Sequence, residues 1–156
     1  MYSNNRSLLV NDVMSFPVVT AKEKEGIDKI AQKMYRHRIS GVVVVNKLNA
    51  PIGIITEGDI VRRLLTKKRR MLFLSKASHV MSRHVITINK EMRIEDAAKF
   101  MVKNRVKRLC VVDDMNRVIG MITDNDIMKN SSYLIDVLNE IIETGYIKEE
   151  EMGIKA

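Results

Sequence analysis

Apolar positions along this chain follow two spacings, and the order in which those spacings appear is written out twice. Val18-Val19-Thr20 and Val85-Ile86-Thr87 are short β-type runs. Helical spacing follows each: Ile27, Ile30, Ala31 and Met34 in the first copy, Ile94, Ala97, Ala98 and Met101 in the second. Intervals of i, i+3, i+4 and i+7 put four apolar side chains on one helix face. Two strands are then predicted, Val42 to Val45 and Ile52 to Ile55, matched by Leu109 to Val112 and Val118 to Ile122. Between the members of each pair lie Asn46-Lys47-Leu48-Asn49 and Asp113-Asp114-Met115-Asn116. These suit hairpin turns, because Asn and Asp side chains bond to nearby backbone and tolerate left-handed φ. A second helix is expected from Thr56 and from Thr123, so each copy reads β-α-β-β-α.

The repeat holds without a gap. Gly53-Ile54-Ile55-Thr56-Glu57-Gly58-Asp59-Ile60 returns 67 residues later as Gly120-Met121-Ile122-Thr123-Asp124-Asn125-Asp126-Ile127, and Val13-Met14-Ser15 returns as Val80-Met81-Ser82. One copy could not cover both faces of a three-stranded sheet, so the two are expected to pack together, with any ligand site duplicated at their seam. The expected divisions are a first repeat over 8–66, a basic linker over 67–75, a second repeat over 76–131, and a C-terminal helix with an acidic tail over 132–156. Met71, Leu72, Phe73 and Leu74 argue that the linker packs down; Leu134, Val137, Leu138, Ile141 and Ile142 give the last helix its apolar stripe.

Composition narrows the classes. A hydrophobic share of 46% and a charged share of 29% fit a globular domain. No apolar run reaches the roughly 18–20 residues that span a bilayer, and the N-terminus shows no secretory signal. Cys110 is the single cysteine, which excludes an intramolecular disulfide and a Cys-based zinc site. A reducing cytoplasm is the expected location. The net charge of +8 is uneven: no acidic residue lies between Ile60 and Lys90, while Asp136, Glu140, Glu143, Glu149, Glu150 and Glu151 crowd the far end. The basic block concentrates anions, whether nucleotide phosphates, nucleic acid or an acidic partner, or else is a solvated face.

A unit opened by Asp12-Val13-Met14-Ser15 and closed by Gly-x-x-Thr-x-x-Asp-Ile resembles the CBS domain, named for cystathionine β-synthase. Two in tandem resemble the CBS pair, or Bateman module, over about residues 8 to 130. Where the family usually has Pro in the first hairpin strand, this chain has Val43 and Cys110. The resemblance implies an α+β fold of two repeats packed as a pseudo-twofold pair. It also implies regulation without catalysis, by an adenosine-containing ligand (AMP, ADP, ATP or S-adenosylmethionine) held in clefts between the repeats. No cofactor or metal is called for. A disc-like homodimer is expected, together with an effector protein that this chain does not itself contain.

The resemblance gives Thr56 and Asp59, with their twins Thr123 and Asp126, contacts to ribose and phosphate. A carboxylate at a helix start can accept bonds from two ribose hydroxyls, and free N–H groups of the first turn can meet phosphate oxygens. The same Thr-x-x-Asp spacing equally makes a capping box. Ser40-Gly41 and Lys107-Arg108 occupy equivalent places before the hairpins and separate the copies. Arg grips phosphate in bidentate fashion and Lys offers a point charge. One cleft is therefore expected to hold a phosphate-bearing nucleotide and the other to bind weakly or take an uncharged adenosine. Thr20 and Thr87 fall where the family contacts base or ribose, although β-branched residues suit strands anyway. His37, His79 and His84 lack metal-ligand spacing, and neither a G-x-x-x-x-G-K-[ST] loop nor a G-x-S-x-G turn occurs. Cys110, in a strand expected to be buried, reads as inert, and the methionines read mainly as packing. Two alternatives stand beside the sensor: a nucleic-acid module using Arg62 to Lys90, short of stacking rings at 4% aromatic residues, and a dimerisation scaffold with empty clefts.

Overall fold

The computed structural model describes residues 8–66, 71 and 74–130. In the first copy β1 (Thr20–Lys22) pairs parallel with β2 (Gly41–Val45), which pairs antiparallel with β3 (Pro51–Thr56). The second copy repeats this with β4 (Thr87–Asn89), β5 (Arg108–Val112) and β6 (Val118–Thr123). Equivalent registers confirm the offset: Val42 faces Ile55 and Val44 faces Gly53, while Leu109 faces Ile122 and Val111 faces Gly120. The hairpins turn at Asn49 and Asn116, at φ 62 and 58, where the Asn side chain tolerates left-handed backbone.

Helix α2 (Ile27–His37) joins β1 to β2 and buries Ile27, Ile30 and Met34 on the predicted face. The next helices in chain order are α3 (Glu57–Thr66) and α4 (Ala77–Val80). Then α5 (Ile94–Asn104) buries Ile94, Ala97 and Met101 as α2's counterpart, and α6 (Asp124–Lys129) follows β6. Every residue of β2 is buried, because its two faces serve different cores. Val42 and Val44 pack under α2, whereas Val43 and Val45 meet Cys110 and Val118 across the seam. The sheets are also tied there by Asn49, whose carbonyl accepts from the Val118 N–H at 3.0 Å and whose Nδ2 donates to the Val118 carbonyl at 3.1 Å.

The opening segments cross over. Helix α1 (Val10–Val13) puts Val10 into the second core, with Ile88, Ile94 and Leu109. Helix α4 puts Ala77 and Val80 into the first core, beside Ile27, Ile30 and Ile55. After α1, Ser15 exchanges backbone bonds with Met121 of β6 at 2.9 and 3.1 Å; after α4, Ser82 does so with Ile54 of β3 at 2.9 Å in both directions. Gly53 and Gly120 make the approach possible. A Cβ on Gly53 would stand 2.8 Å from Met81 Cγ and 3.0 Å from Met81 Cβ, and one on Gly120 would stand 3.1 Å from Met14 Cγ.

Three expectations need correction. Strands β1 and β4 begin at Thr20 and Thr87, so Val18-Val19 and Val85-Ile86 precede them. Val18 and Val85 are half-buried against the seam rather than carried by a strand. Met71 and Leu74 are 58% and 76% exposed and do not pack down. The chain is instead held just beyond them by backbone, with Ile27 N–H donating to Ser75 and Ala77 N–H to Glu25. Met34, Met81 and Met101 are core residues, but Met115 and Met128 are exposed on the turn and on α6. Lys67 to Arg70, Leu72, Phe73 and the expected C-terminal helix over 132–156 lie outside the described residues.

Candidate ligand-binding clefts

Each hairpin runs straight into a helix, and Thr56 and Thr123 sit at the two junctions. Asp59 Oδ2 accepts from the Thr56 N–H at 2.9 Å and from its hydroxyl at 2.8 Å, while Thr56 Oγ1 accepts the Asp59 N–H at 3.2 Å. The second copy repeats all three bonds at 2.8, 2.8 and 3.3 Å. Thr-x-x-Asp is thus a capping box in both copies. One carboxylate oxygen of each Asp stands outside these bonds; Asp59 Oδ1 lies 3.8 Å from Arg62. The helix starts are further tied to the residues before the hairpins, because Glu57 N–H donates to the Ser40 carbonyl and Asp124 N–H to that of Lys107.

Two clefts open where the copies meet. The wide one, about 590 Å³, sets Thr56 and Gly58 at the start of α3 against Arg105, Lys107 and Arg108 of the second copy, over an apolar wall of Ile54, Val85 and Ile86. The narrow one, about 260 Å³, sets Thr123, Asn125 and Asp126 against Arg38, Ser40 and Gly41 of the first copy, over Val18, Val19 and Met121. Position by position these are the same construction 67 residues apart. Each cleft takes its helix start from one copy and its pre-hairpin residues from the other.

Thr56, Ser40, Lys107 and Arg108 therefore gather at the wide cleft, and Thr123, Asp126, Ser40, Gly41 and Arg108 at the narrow one. Asp59 stands behind its cap and does not line the wide cleft. Thr20 and Thr87 line neither; the Thr20 carbonyl accepts from Lys33 Nζ at 2.8 Å, and Thr87 is an exposed strand residue. Sequence reasoning missed Arg38 and Arg105, which end α2 and α5 at φ 52 and 54 and line the narrow and wide clefts. Their signal was present as one exposed Arg recurring at the repeat offset. His84, at the mouth of the wide cleft opposite Pro17 in the narrow one, was likewise passed over.

Arg108 reaches into both clefts. Its Nη2 donates to Ser40 Oγ at 3.0 Å, and its side chain lies across Gly41, with Cδ 3.5 Å and Cζ 3.1 Å from where a Gly41 Cβ would stand. Arg108 fills space between the copies that its counterpart, Gly41, leaves free. Beneath it Cys110 is buried, and desolvation pushes its thiol from the ordinary 9.0 up to about 12. Among the described residues no cluster of His, Cys, Asp and Glu is arranged to hold a metal, and no helix is long and apolar enough to cross a membrane.

Known proteins share this construction. The CBS domain family model matches residues 10–66 and 77–133. Protein MK0525 of Methanopyrus kandleri is 37% identical over 86% of this chain and 68% of its own length. An inosine-5'-monophosphate dehydrogenase of Methanocaldococcus jannaschii is 32% identical over 79% of this chain, which corresponds to 23% of that enzyme. Among solved structures, the CBS domain pair of protein MJ0100, in complex with 5'-methylthioadenosine and S-adenosyl-L-methionine, superposes with a TM-score of 0.73 at 30% identity, covering 81% of this chain and 97% of that one. With the family model matching both copies and the fold reproducing the pair, this chain belongs to the CBS domain family, as two CBS repeats in tandem.

Proposed function

We propose that the chain is a regulatory module that binds an adenosine-containing ligand in the clefts between its repeats and signals its occupancy to a partner protein. The observation that carries this reading is the paired clefts, each joining an apolar wall to a capped helix start and a set of cations. The apolar wall suits a flat base, the helix start suits ribose and phosphate oxygens, and the cations suit a phosphate. The pair of MJ0100, 30% identical, is bound to two adenosine-containing molecules, which supports the same ligand class here. Arg38 and Arg105 add support. A left-handed helix end favours Gly or Asn, so an Arg there in both copies is better explained by the cleft it lines than by the turn.

The wide cleft is the phosphate-bearing nucleotide's site in this proposal. Arg62, Arg105, Lys107 and Arg108 line it against the single acid Glu57, whereas the narrow cleft sets three cations, Arg38, Arg108 and Lys129, against Asp126 and has less room. The narrow cleft takes the smaller, uncharged nucleoside. Signalling follows from differential binding: a ligand shifts the angle between copies only insofar as it prefers one angle. The partner surface includes Val61 and Leu65 of α3 and Met128 of α6, exposed apolar residues that also support a homodimer.

The test is thermal unfolding and calorimetry with AMP, ADP, ATP, S-adenosylmethionine and 5'-methylthioadenosine, on the native chain and on Arg105→Ala/Lys107→Ala. A ligand at a hundredfold excess over its Kd should add roughly 2.7 kcal/mol. The double variant should lose roughly 10–100-fold in affinity for the phosphate-bearing ligand, the scale of charge-assisted hydrogen bonds. Response to none of the five would overturn the reading. Retention of labelled DNA or RNA at physiological salt would then favour the nucleic-acid alternative.

A further inference from the structure

Arg108 and Ser40 are the two residues that line both clefts, and they are bonded to each other. Arg108 is the one cation the clefts share; the others lie in one cleft or the other. Arg108 is half-buried as a residue; its guanidinium lies over the bare backbone of Gly41 and is held by a single neutral acceptor, the exposed Ser40 Oγ. No carboxylate of the described residues forms an ion pair with it. A neutral hydroxyl is a weaker partner for a guanidinium than a phosphate oxygen is. The group is thus poised to leave Ser40 for an anion in either cleft, but it can serve only one at a time.

We infer that Arg108 couples the two clefts, and that the sign of the coupling depends on the charge of the second ligand. An anionic ligand in the wide cleft draws the guanidinium off Ser40 and away from Gly41. The narrow cleft then gains the volume the guanidinium had filled and loses its share of that positive charge. A neutral nucleoside entering the narrow cleft meets more room, so it binds tighter. A second anion meets one cation fewer, so it binds weaker. A single residue produces both signs, whereas a general stiffening of the fold would move both ligands the same way. The inference rests on the adenosine-ligand reading above, and it goes beyond that reading by naming the residue through which one site senses the other.

The experiment titrates 5'-methylthioadenosine, an uncharged probe, and separately AMP, into the full chain with and without one equivalent of AMP already bound. The native chain should bind 5'-methylthioadenosine about fivefold or more tightly after AMP, and a second AMP about fivefold or more weakly, the lower end of measured coupling between sites. Two variants carry the argument. Arg108→Ala removes the shared group and should bring both ratios to about one. Gly41→Ala puts a methyl group where the guanidinium lies; the obstruction is the end of a flexible side chain, so the fold accommodates it. That variant should weaken the response to AMP in the same way while all cations remain in place. Circular dichroism and an unfolding midpoint within a few degrees of native establish that each variant is folded. Coupling of the same size in Arg108→Ala, or coupling of one sign for both ligands, overturns the inference and leaves the ligand reading standing. Absence of binding by either probe in the native chain overturns the inference, and the ligand reading falls with it only when ADP, ATP and S-adenosylmethionine fail as well.

Discussion

The wide and narrow clefts are made from the same positions of a duplicated unit, yet they differ more than twofold in volume, about 590 against 260 Å³. What the copies share is the scaffold: the capping box, the hairpin register and the helix faces match bond for bond. Among what separates them, the pair at the start of the hairpin differs most in charge, Ser40-Gly41 against Lys107-Arg108, with further changes at Gly58 and Asn125 and at His84 and Pro17. The chemistry of the cleft walls changes where the repeat fails, and the Thr-x-x-Asp motif holds backbone in place in both copies. Even the small difference at Gly58 follows that rule. The Asn125 N–H bonds to Asp124 Oδ1 at 2.9 Å, whereas Gly58 offers bare backbone to the wide cleft.

The most direct way to break the comparison is to erase those two residues. Lys107→Ser/Arg108→Gly gives both clefts the Ser-Gly pair, and the cleft volumes should converge. The variant should lose roughly 10–100-fold in affinity for a phosphate-bearing ligand and retain its affinity for 5'-methylthioadenosine. Calorimetry reads both, and an undiminished preference for the phosphate would remove the cations from the explanation. A smaller effect tests what the copies have in common. Thr56→Val and Thr123→Val each remove a cap worth about 1 kcal/mol, which for a chain of this size lowers the unfolding midpoint by about 2–4 °C. Equal losses at the two positions fit a shared structural role; a much larger loss of ligand affinity in one variant would show that its hydroxyl serves the cleft as well. The last test concerns Cys110 behind the wide cleft, whose effect is silent at neutral pH and appears only in alkali. Its thiol should resist disulfide reagents at pH 7–8 in the folded chain and react once the chain is unfolded in urea. Because burial raises its folded value from 9.0 to about 12, the unfolded chain ionises first. Stability is therefore complete below pH 9 and declines between pH 9 and 12. A Cys110→Val variant should lose that decline, seen as a flatter midpoint across the alkaline range.

The parts of this arrangement that were legible in the sequence are those set by local spacing. Periodicity placed α2, α5 and the hairpins because one helix face or one strand alternation decides burial on its own. Thr56, Thr123, Asp126, Lys107 and Arg108 could be singled out from the motif and from the mismatch between copies. The company they keep could not. Thr56 works beside Lys107 only because the copies pack with the helix start of one facing the pre-hairpin turn of the other. Val18 and Val85 misled for a related reason, since a seam and a strand both bury valine. Arg108 reaching both clefts depends on the missing side chain at Gly41, which spacing cannot report.

The crossed opening segments have a mechanical consequence. Ser15 is fastened to Met121 and Ser82 to Ile54, in each case two residues before the threonine that starts a cleft-lining helix. Each arm lies on the other copy from its short helix to its bridge, and only then enters its own copy's first strand. A change of angle between the copies must therefore drag both arms. The pair behaves less like two blocks on a hinge than like a buckle laced by two straps, in which prying at either cleft tightens or slackens the lacing on both sides. Because Ser15 and Met121 line the narrow cleft and Ile54 the wide one, motion begun at either helix start pulls directly on a strap and, through covalent chain, on the first strand of the other copy.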